Sequence, residues 1–320
     1  MATKTTTAVP SEFDLIRRYF TRATPGAVLG VGDDAALLAL TPGSQLAVST
    51  DMLVSGRHFF ANADPESLGH KALAVNLSDL AAMGAKPRWA TLALALPEAN
   101  EAWLSAFARG LYGLADAHGV ELIGGDTTRG PLNLCITVLG ELEPGQALRR
   151  DAACVGDDVW VSGELGGAAL ALRHLRGELD LGAAADLALE RLHRPRPRLE
   201  LGMRLRGLAH AAIDLSDGLL ADLGHILELS GVGARLDRAA IPFAAGFSDF
   251  TAYFDVCALA GGDDYELCFT AAPTCADAVR QAARECEVAV TQIGRITERP
   301  ELVDADGRVF AHTRGYDHFA

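Results

Sequence analysis

Lysine is scarce in this chain, and its placement excludes the commonest phosphate-binding loop. The lysines are Lys4, Lys71 and Lys86. None lies in a G-x-x-x-x-G-K-[ST] context, and the protein-kinase motifs are also missing. Gly30 and Gly32 do not form a dinucleotide fingerprint, because the following Asp33 and Asp34 would repel a pyrophosphate bound without metal. Any bound nucleotide must therefore be held through a cation and arginine.

Long apolar runs, paired cysteines and excess basic charge are lacking as well. No run of about 18 apolar residues exists, and the threonine-rich first ten residues lack the apolar segment of a signal peptide. The six cysteines contain no C-x-x-C pair, which indicates reduced, mostly buried thiols. A net charge of −14 and a pI near 5.0 argue against nucleic acid or an anionic membrane as partner. We therefore expect a cytoplasmic protein.

The chain is long and apolar enough for one large or two medium domains, with 320 residues and 49% hydrophobic content. Strand and helix patterns alternate throughout, so the predicted class is α/β, mixed α+β, in two halves. Pro144 and Gly145 and a change in charge mark a boundary within residues 141–151. The expected parts are an N-terminal tail and helix (1–25), an N-terminal domain (26–148) and a C-terminal α/β domain (149–320).

Helix ends are the clearest local signals. Ser11, followed three residues later by Asp14, predicts a capped helix through Phe20. A helix is predicted from residue 64 to residue 83, since aspartate caps, proline suits the first turn and glycine stops it. Asn100 and Gly119 bound a third predicted helix.

Carboxylates beside glycine, serine or threonine recur at the ends of apolar runs. These segments are Gly30–Asp34, Ser49–Asp51, Gly124–Thr128, Asp214–Gly218 and Gly261–Asp264. Each alone is as well explained by a solvated turn. Together they predict aspartates at strand ends that converge, and converging carboxylates repel unless a cation lies among them. Asp79 lies inside an apolar helical pattern, where it either joins this site or reaches water at the edge of its face.

The donor set consists of hard oxygen ligands, which suit magnesium better than zinc. The candidates are Asp34, Thr50, Asp51, Asp79, Asp126, Asp214 and Asp217, with Ser49 as a further oxygen donor. Gly124 and Gly125 let the backbone approach a phosphate closely, and Arg150 is either a phosphate clamp or a solvated charge. We interpret residues 156–158 as a plain turn, residues 193–198 as a rigid linker and His58 as structural.

Eight motifs in order resemble the thiamine-monophosphate kinase family over nearly the whole chain. They are G-V-G-D-D-A (30–35), S-T-D (49–51), H-F (58–59), N-L-S-D-L-A-A-M-G (76–84), G-G-D-T-T (124–128), D-L-S-D-G (214–218), G-G-D-D-Y-E-L (261–267) and G-Y-D-H-F (315–319). The resemblance implies ATP-dependent phosphorylation of thiamine monophosphate to thiamine diphosphate. It also implies an aminoimidazole-ribonucleotide-synthetase-like fold, whose N-terminal domain forms a β-barrel with a second subunit of a homodimer.

The resemblance also implies residue roles. Magnesium ligands map to Asp34, Ser49, Thr50, Asp51, Asp79, Asp126, Asp214 and Asp217. ATP contacts map to Tyr112, Gly125, Asp126, Arg150 and Ser216, and substrate contacts to His58, Asp263 and Tyr316. Asp79, Asp126 and Asp217 are the expected catalytic residues of a direct in-line transfer without a covalent enzyme intermediate. The family usually has glutamate where this chain has Asp263, one methylene shorter.

Other interpretations predict different features. Selenophosphate synthetase needs a cysteine near its N-terminus, whereas the first here is Cys135, and the related hydrogenase maturation protein ends in a reactive cysteine that this chain lacks. Purine-pathway synthetases do not combine the 76–84 and 315–319 motifs. A silent ATP-binding module would not need so many ligands, and a two-metal phosphatase would typically use histidine ligands.

Overall fold

The computed structural model describes residues 11–244 and 246–310 and has a mixed α/β fold. The helices are α1 (Glu12–Tyr19), α2 (Pro65–Ala82), α3 (Glu101–His118), α4 (Gly167–Leu175), α5 (Ala185–His193), α6 (Leu199–Leu205), α7 (Leu219–Ser230) and α8 (Ala276–Glu285). The strands are β1 (Gln45–Val54), β2 (Lys86–Leu96), β3 (Glu121–Arg129), β4 (Asn133–Leu142), β5 (Asp158–Ser162), β6 (Ala209–Asp214), β7 (Gly233–Leu236), β8 (Leu267–Ala271), β9 (Val290–Thr297) and β10 (Leu302–Asp304). Tyr316 lies outside the described residues.

The strands form two sheets. One has the order β1-β4-β2-β3, with β2 and β3 parallel, and the other has the order β10-β7-β9-β5-β8-β6. In the second sheet β5 pairs antiparallel with both β8 and β9, and β6 pairs antiparallel with β8. Within the described residues, β6 is therefore an edge strand whose only sheet neighbour is β8.

The chain divides into two compact units. The first comprises residues 1–41, 48–76 and 87–139, and the second comprises residues 42–47, 77–86 and 140–320. Helix α2 contributes residues to both. The sheet that contains β1 to β4 is open, and the barrel expected from pairing with a second subunit stays a prediction, as does the proposed boundary after residue 148.

The predicted helix ends are confirmed. Ser11 accepts a hydrogen bond from the main chain of Asp14, whose carboxylate accepts one in return from the main chain of Ser11. Asp64 caps α2 by accepting the N–H of Ser67 at 2.8 Å. Asn100 caps α3, and Gly119 ends it in the left-handed conformation that favours glycine.

Two aspartates expected at strand ends lie inside strands instead. Strand β1 continues to Val54, so Asp51 lies within it, and β3 continues to Arg129 and contains Asp126. Asp214 does end its strand. The strand ends were predicted too early, because polar residues on an exposed strand face interrupt the apolar pattern of the sequence. They do not interrupt the hydrogen bonds between the strands.

Helices α2 and α3 cross closely within the first unit. A Cβ on Gly110 would lie 1.7 Å from the carbonyl oxygen of Glu66, and one on Gly69 would lie 2.1 Å from that of Phe107. The two glycines therefore let the backbones touch and bury Phe107. No helix among the described residues is long and apolar enough to cross a membrane.

The expectation of mostly buried cysteines is wrong for much of the set. All six are free, but Cys257 and Cys268 are buried, Cys154 is exposed and the remaining three are partly exposed. The thiols occupy strands, loops and helix ends alike, so burial follows their local position and not the residue type.

Candidate active site

Asp214 is the most deeply buried of the predicted ligands. It ends β6 in the second unit and is 4% exposed. Burial raises the pKa of Asp214 to about 7, and the neighbouring charge of Asp79 acts in the same direction. Asp222 adds to this effect, whereas Ser78 and Arg150 oppose it. The sequence left open whether Asp79 joins the site or reaches water; its charge acts on Asp214, and its role as a metal ligand stays a prediction.

This arrangement fits a divalent cation. Asp79 on α2 and Asp214 on β6 are carboxylates from different elements, and the charge of Asp79 acts on Asp214, which is shielded from water. Such a pair favours either a proton or a cation. Ser78, which also acts on Asp214, offers a hydroxyl oxygen, and oxygen donors suit magnesium. Arg150 lies near enough to lower the pKa of Asp214, so a positive side chain also lies near this carboxylate.

The segment after Asp214 is hydrogen-bonded to the segment that carries Asp263. The main-chain N–H of Leu215 donates to Glu266, that of Tyr265 to Leu215 and that of Asp263 to Ser216, at 2.8 to 2.9 Å. These bonds extend the pairing of β6 with β8 beyond both strand ends. The predicted metal and ATP residues at 214–217 and the predicted substrate residue Asp263 are thus held together by the backbone.

Asp222 fixes the turn that leads from this segment into α7. One carboxylate oxygen accepts the main-chain N–H groups of Asp217 and Gly218, each at 3.0 Å. Asp222 is 2% exposed, and burial raises its pKa to about 7. Sequence reasoning missed this residue, because Asp222 is the fourth helical position after the N-cap Gly218, one beyond the spacing of a capping box.

The segment at 263–266 has an unusual backbone. Asp263 and Tyr265 have φ values of 68° and 50°, a region that non-glycine residues seldom occupy. Gly262 has no room for a side chain, because a Cβ would lie 2.2 Å from the carbonyl oxygen of Ser216. Asp264 accepts the N–H of Gly166, and burial raises its pKa well above the usual range. Strained residues of this kind cluster at ligand-binding sites.

A buried ion pair between Glu266 and Arg198 holds the end of the 263–266 segment in place. Glu266 accepts hydrogen bonds from the Ser162 hydroxyl at 2.5 Å and from Arg198 Nε at 2.7 Å. Ser162 in turn accepts the N–H of Leu267 at 2.8 Å. Arg198 comes from the proline-rich segment interpreted above as a linker, so one of its arginines has a structural partner that the sequence alone did not reveal.

In the first unit, β1 presents Ser49 and Asp51 on one face and Thr50 on the other, because strand side chains alternate. The Thr50 hydroxyl lies 2.8 Å from that of Thr137. The main chain of Asp51 donates to the buried Asn76 side chain at 2.9 Å. Asn76 therefore locks the position of Asp51 on the strand.

Gly125 and Asp126 lie side by side in β3, also in the first unit. Gly125 has a φ of 148°, and a Cβ there would lie 1.8 Å from the carbonyl oxygen of Leu92 on β2. Asp126 is exposed. The close approach of β2 and β3 thus requires glycine at 125 and leaves the neighbouring carboxylate accessible to ligands.

The remaining predicted residues of the first unit have distinct settings. Asp34 is exposed after a turn in which Asp33 accepts its N–H at 2.9 Å. Nδ1 of His58 accepts the N–H of Val54 at 2.9 Å, which places the imidazole proton on Nε2. Tyr112 is buried in α3 under the Arg22 guanidinium, and burial raises its pKa to about 12. Contact of Tyr112 with a nucleotide would require Arg22 to move.

The eight predicted metal ligands thus fall into two groups. Those in the first unit are Asp34, Ser49, Thr50, Asp51 and Asp126, and those in the second are Asp79, Asp214 and Asp217. Residues 156–158, interpreted as a plain turn, include two buried carboxylates. The burial of Asp157 and Asp158 depends on partners distant in sequence, which the local pattern does not contain.

Two family models match the chain. The N-terminal domain of AIR synthase related proteins matches residues 32–142, and the C-terminal domain matches residues 155–305. The thiamine-monophosphate kinase of Escherichia coli K12 is 45% identical over 97% of this chain and 98% of its own length. The Bacillus subtilis enzyme of the same name is 34% identical over 96% of this chain and 99% of its own length.

Solved structures agree with these matches. The thiamine-monophosphate kinase of Stenotrophomonas maltophilia K279a has a TM-score of 0.84 and 51% identity, covering 89% of this chain and 93% of its own. AaThiL complexed with AMPPCP and TMP has a TM-score of 0.78 and 30% identity, covering 88% of this chain and 89% of its own. The hydrogenase maturation protein HypE in complex with ATP has a TM-score of 0.80 but 22% identity, covering 98% of this chain and 96% of its own, and shares the fold.

Proposed function

Because this chain belongs to the thiamine-monophosphate kinase family, we propose that it transfers the γ-phosphoryl group of ATP to the phosphate of thiamine monophosphate. The full-length similarity to curated enzymes of that name carries the proposal. A structural relative bound to AMPPCP and TMP supports both substrates. The cytoplasmic location expected from the sequence stays a prediction.

The second unit carries residue types that support this proposal. Phosphoryl transfer requires positioning and neutralisation of charge on the phosphate oxygens. Asp79, Asp214 and Asp217 would hold magnesium in the second unit, and the bound ion would supply that neutralising charge. Arg150 binds phosphate oxygens of ATP, while Ser216 contacts the nucleotide beside the metal ligands.

The first unit carries its own group of proposed ligands. Asp34, Asp51 and Asp126 provide carboxylates, with Ser49 and Thr50 as further oxygen donors. Because the Thr50 hydroxyl is turned away from Ser49 and Asp51, Thr50 would contribute its main-chain oxygen.

The proposed substrate contacts are His58, Asp263 and Tyr316, and the last lies outside the described residues. His58 would donate from Nε2, since its Nδ1 accepts a main-chain N–H. A phosphate oxygen of thiamine monophosphate attacks the γ-phosphorus in line, and ADP leaves. The attacking oxygen is already ionised at neutral pH, so no strong general base and no covalent enzyme intermediate are needed.

The test is direct. Purified protein is mixed with ATP, magnesium and thiamine monophosphate, and ADP and thiamine diphosphate are measured by chromatography. Thiamine and an acceptor-free mixture serve as controls. We expect equal amounts of both products, dependent on the monophosphate and on magnesium. ADP formed without thiamine diphosphate would contradict the proposal.

We also propose that two chains pair through their N-terminal sheets into the expected barrel. Strand β1 is an edge strand, and its Val48 and Met52 side chains are 57% and 55% exposed on one face. An exposed apolar edge strand favours pairing with another chain. Light scattering should show a dimer for the wild type and a monomer for Val48→Glu, and a dimer that persists in the variant would argue against this surface.

A further inference from the structure

A cysteine, a histidine and an aspartate meet in the second unit at a place that the proposed kinase reaction does not use. Candidate ligand atoms of Cys154, Asp157 and His210 all lie within 4.8 Å of one another. We propose that these three side chains bind a zinc ion. The site would be separate from the oxygen-ligand magnesium site, because its donors are one sulfur, one nitrogen and one oxygen.

The aspartate is fixed before any metal binds. Asp157 is 3% exposed and accepts hydrogen bonds from the Cys154 main-chain N–H at 2.9 Å and from the Thr270 hydroxyl at 3.2 Å. Its own main chain donates to the Cys154 carbonyl at 3.0 Å, which closes a tight turn. A second main-chain bond, from Ile296 to Asp157 at 2.8 Å, ties this turn to β9. A preorganised carboxylate lowers the entropic cost of binding an ion.

The histidine reaches this carboxylate from an irregular strand. The pairing of β6 with β8 shifts register between Ala209 and Ala211, so His210 occupies a β-bulge. Bulges re-aim a side chain, and here Nδ1 of His210 lies 2.8 Å and 3.0 Å from the two Asp157 oxygens. Zinc bonds to nitrogen and oxygen measure about 2.0 Å each. An ion can therefore take the place of the hydrogen between Nδ1 of His210 and the Asp157 carboxylate if the two side chains move slightly apart.

The cysteine supplies the third ligand. Cys154 is exposed, and its thiol makes a long contact of 3.6 Å with the Ala152 carbonyl. Ligands of a tetrahedral zinc ion lie about 3.5 Å apart, and the three atoms here lie within 4.8 Å of one another, so the thiolate would need to approach by about 1.3 Å at most. Both Cys154 and His210 reach solvent, which leaves water as the fourth ligand and gives the ion a route of entry. A salt bridge between Asp157 and His210 alone would not involve the sulfur.

Titration with Co²⁺ distinguishes a metal site with a sulfur ligand from a salt bridge between Asp157 and His210 alone. Metal-free protein in excess magnesium, which fills the oxygen sites, is titrated with Co²⁺ and then with Zn²⁺. We expect one equivalent of Co²⁺ with a thiolate-to-metal charge-transfer band that Zn²⁺ abolishes. Cys154→Ser should lose the band and bind Zn²⁺ at least about 100-fold more weakly. Cys286→Ser, at a partly exposed cysteine elsewhere in the same unit, should behave as wild type.

His210→Gln provides the second variant, since glutamine keeps a hydrogen bond to Asp157 but is a poor zinc ligand. It should also bind Zn²⁺ at least about 100-fold more weakly while circular dichroism stays unchanged. Kinase turnover of Cys154→Ser should equal that of wild type. The proposal is overturned if wild type shows no thiolate band with stoichiometric Co²⁺, or if both variants bind zinc as wild type does.

Discussion

Single residues decide whether the carboxylates around Asp214 hold a cation. In Asp79→Asn, the negative charge of a proposed magnesium ligand is lost, while the shape of the side chain is kept. We expect turnover to fall at least about 100-fold, because the proposed magnesium ion, which would neutralise the phosphates, would be held less tightly. Thermal unfolding should change little. Asp249→Asn, at an exposed position outside the site, is the matched control, and full activity of Asp79→Asn at ordinary magnesium would refute the assignment.

Asp222 tests how the turn at 217–218 is held. Asp222→Asn keeps an oxygen that can accept the two main-chain N–H groups, so activity should remain within a few-fold of wild type. Asp222→Ala leaves both groups without a partner, at a cost of about 2 kcal/mol or more in the free energy of unfolding. The alanine variant should also show a higher KM for ATP, because Ser216 and Asp217 lose their fixed position.

Comparison of Asp222→Asn with Asp222→Ala shows whether Asp222 acts by holding the turn or through its negative charge. If the ionised carboxylate itself were required, Asp222→Asn would lose activity as fully as Asp222→Ala. Steady-state kinetics with both variants, together with urea unfolding, distinguish these outcomes.

The burial of individual charged side chains was the property that the sequence predicted least well. The sequence signals located the Asp214–Gly218 motif because glycine and serine surround its acids. They gave no sign that Glu266 pairs with Arg198 or that Asp157 is buried beside His210, since those partners are far apart in the chain. Local patterns report backbone preference, whereas these contacts depend on how β5, β6 and β8 pair.

At the scale of elements, the buried pair of Arg198 and Glu266 connects the start of α6 to the segment before β8. Arg198→Met leaves the Glu266 carboxylate buried without its partner, so the free energy of unfolding should fall by about 3 kcal/mol. The KM for thiamine monophosphate should rise, because this pair supports the segment that carries Asp263. Chemical denaturation and steady-state kinetics measure the two effects.

Arg204→Met is the matched control for this pair. Arg204 forms an ion pair with Glu285 in which both side chains are close to half exposed. Exposed pairs contribute less than about 1 kcal/mol, so this variant should unfold near the wild-type denaturant concentration. Equal destabilisation by the two substitutions would show that burial of Glu266 has no special effect.

Most elements were predictable because their ends carry strong signals. Ser11, Asp64 and Asn100 cap helices as their residue types predict, and Gly119 ends one. Strands β7 and β10 were missed because they are short and contain charged residues, Arg235 and Asp304. Their existence depends on the neighbouring strands of the sheet and not on their own sequence.

On the scale of the whole molecule, the acidic residues make stability depend on both pH and magnesium. In the metal-free protein, Asp214 and Asp222 have pKa values of about 7, above the ordinary 3.8. The folded state therefore binds more protons than the unfolded state between these values, and the free energy of unfolding falls as pH rises through that range. Each group contributes up to about 1.4 kcal/mol per pH unit.

If magnesium binds the ionised carboxylates of the folded state as proposed, it should reverse this trend. The rise in Tm on adding magnesium should be larger at pH 8 than at pH 5, and Asp214→Asn should reduce that difference. Differential scanning fluorimetry with and without chelator provides the measurement. A magnesium effect of the same size at both pH values would contradict the assignment of Asp214.

The backbone pairing of residues 214–217 with 263–266 also limits how this protein can evolve. An insertion or deletion in either segment would break the shared register and displace the proposed metal ligands and substrate contacts at once. A change of acceptor would therefore have to arise through exchange of side chains and not through changes in loop length. Engineering of altered specificity should accordingly keep the length of both segments and vary the residues that they present.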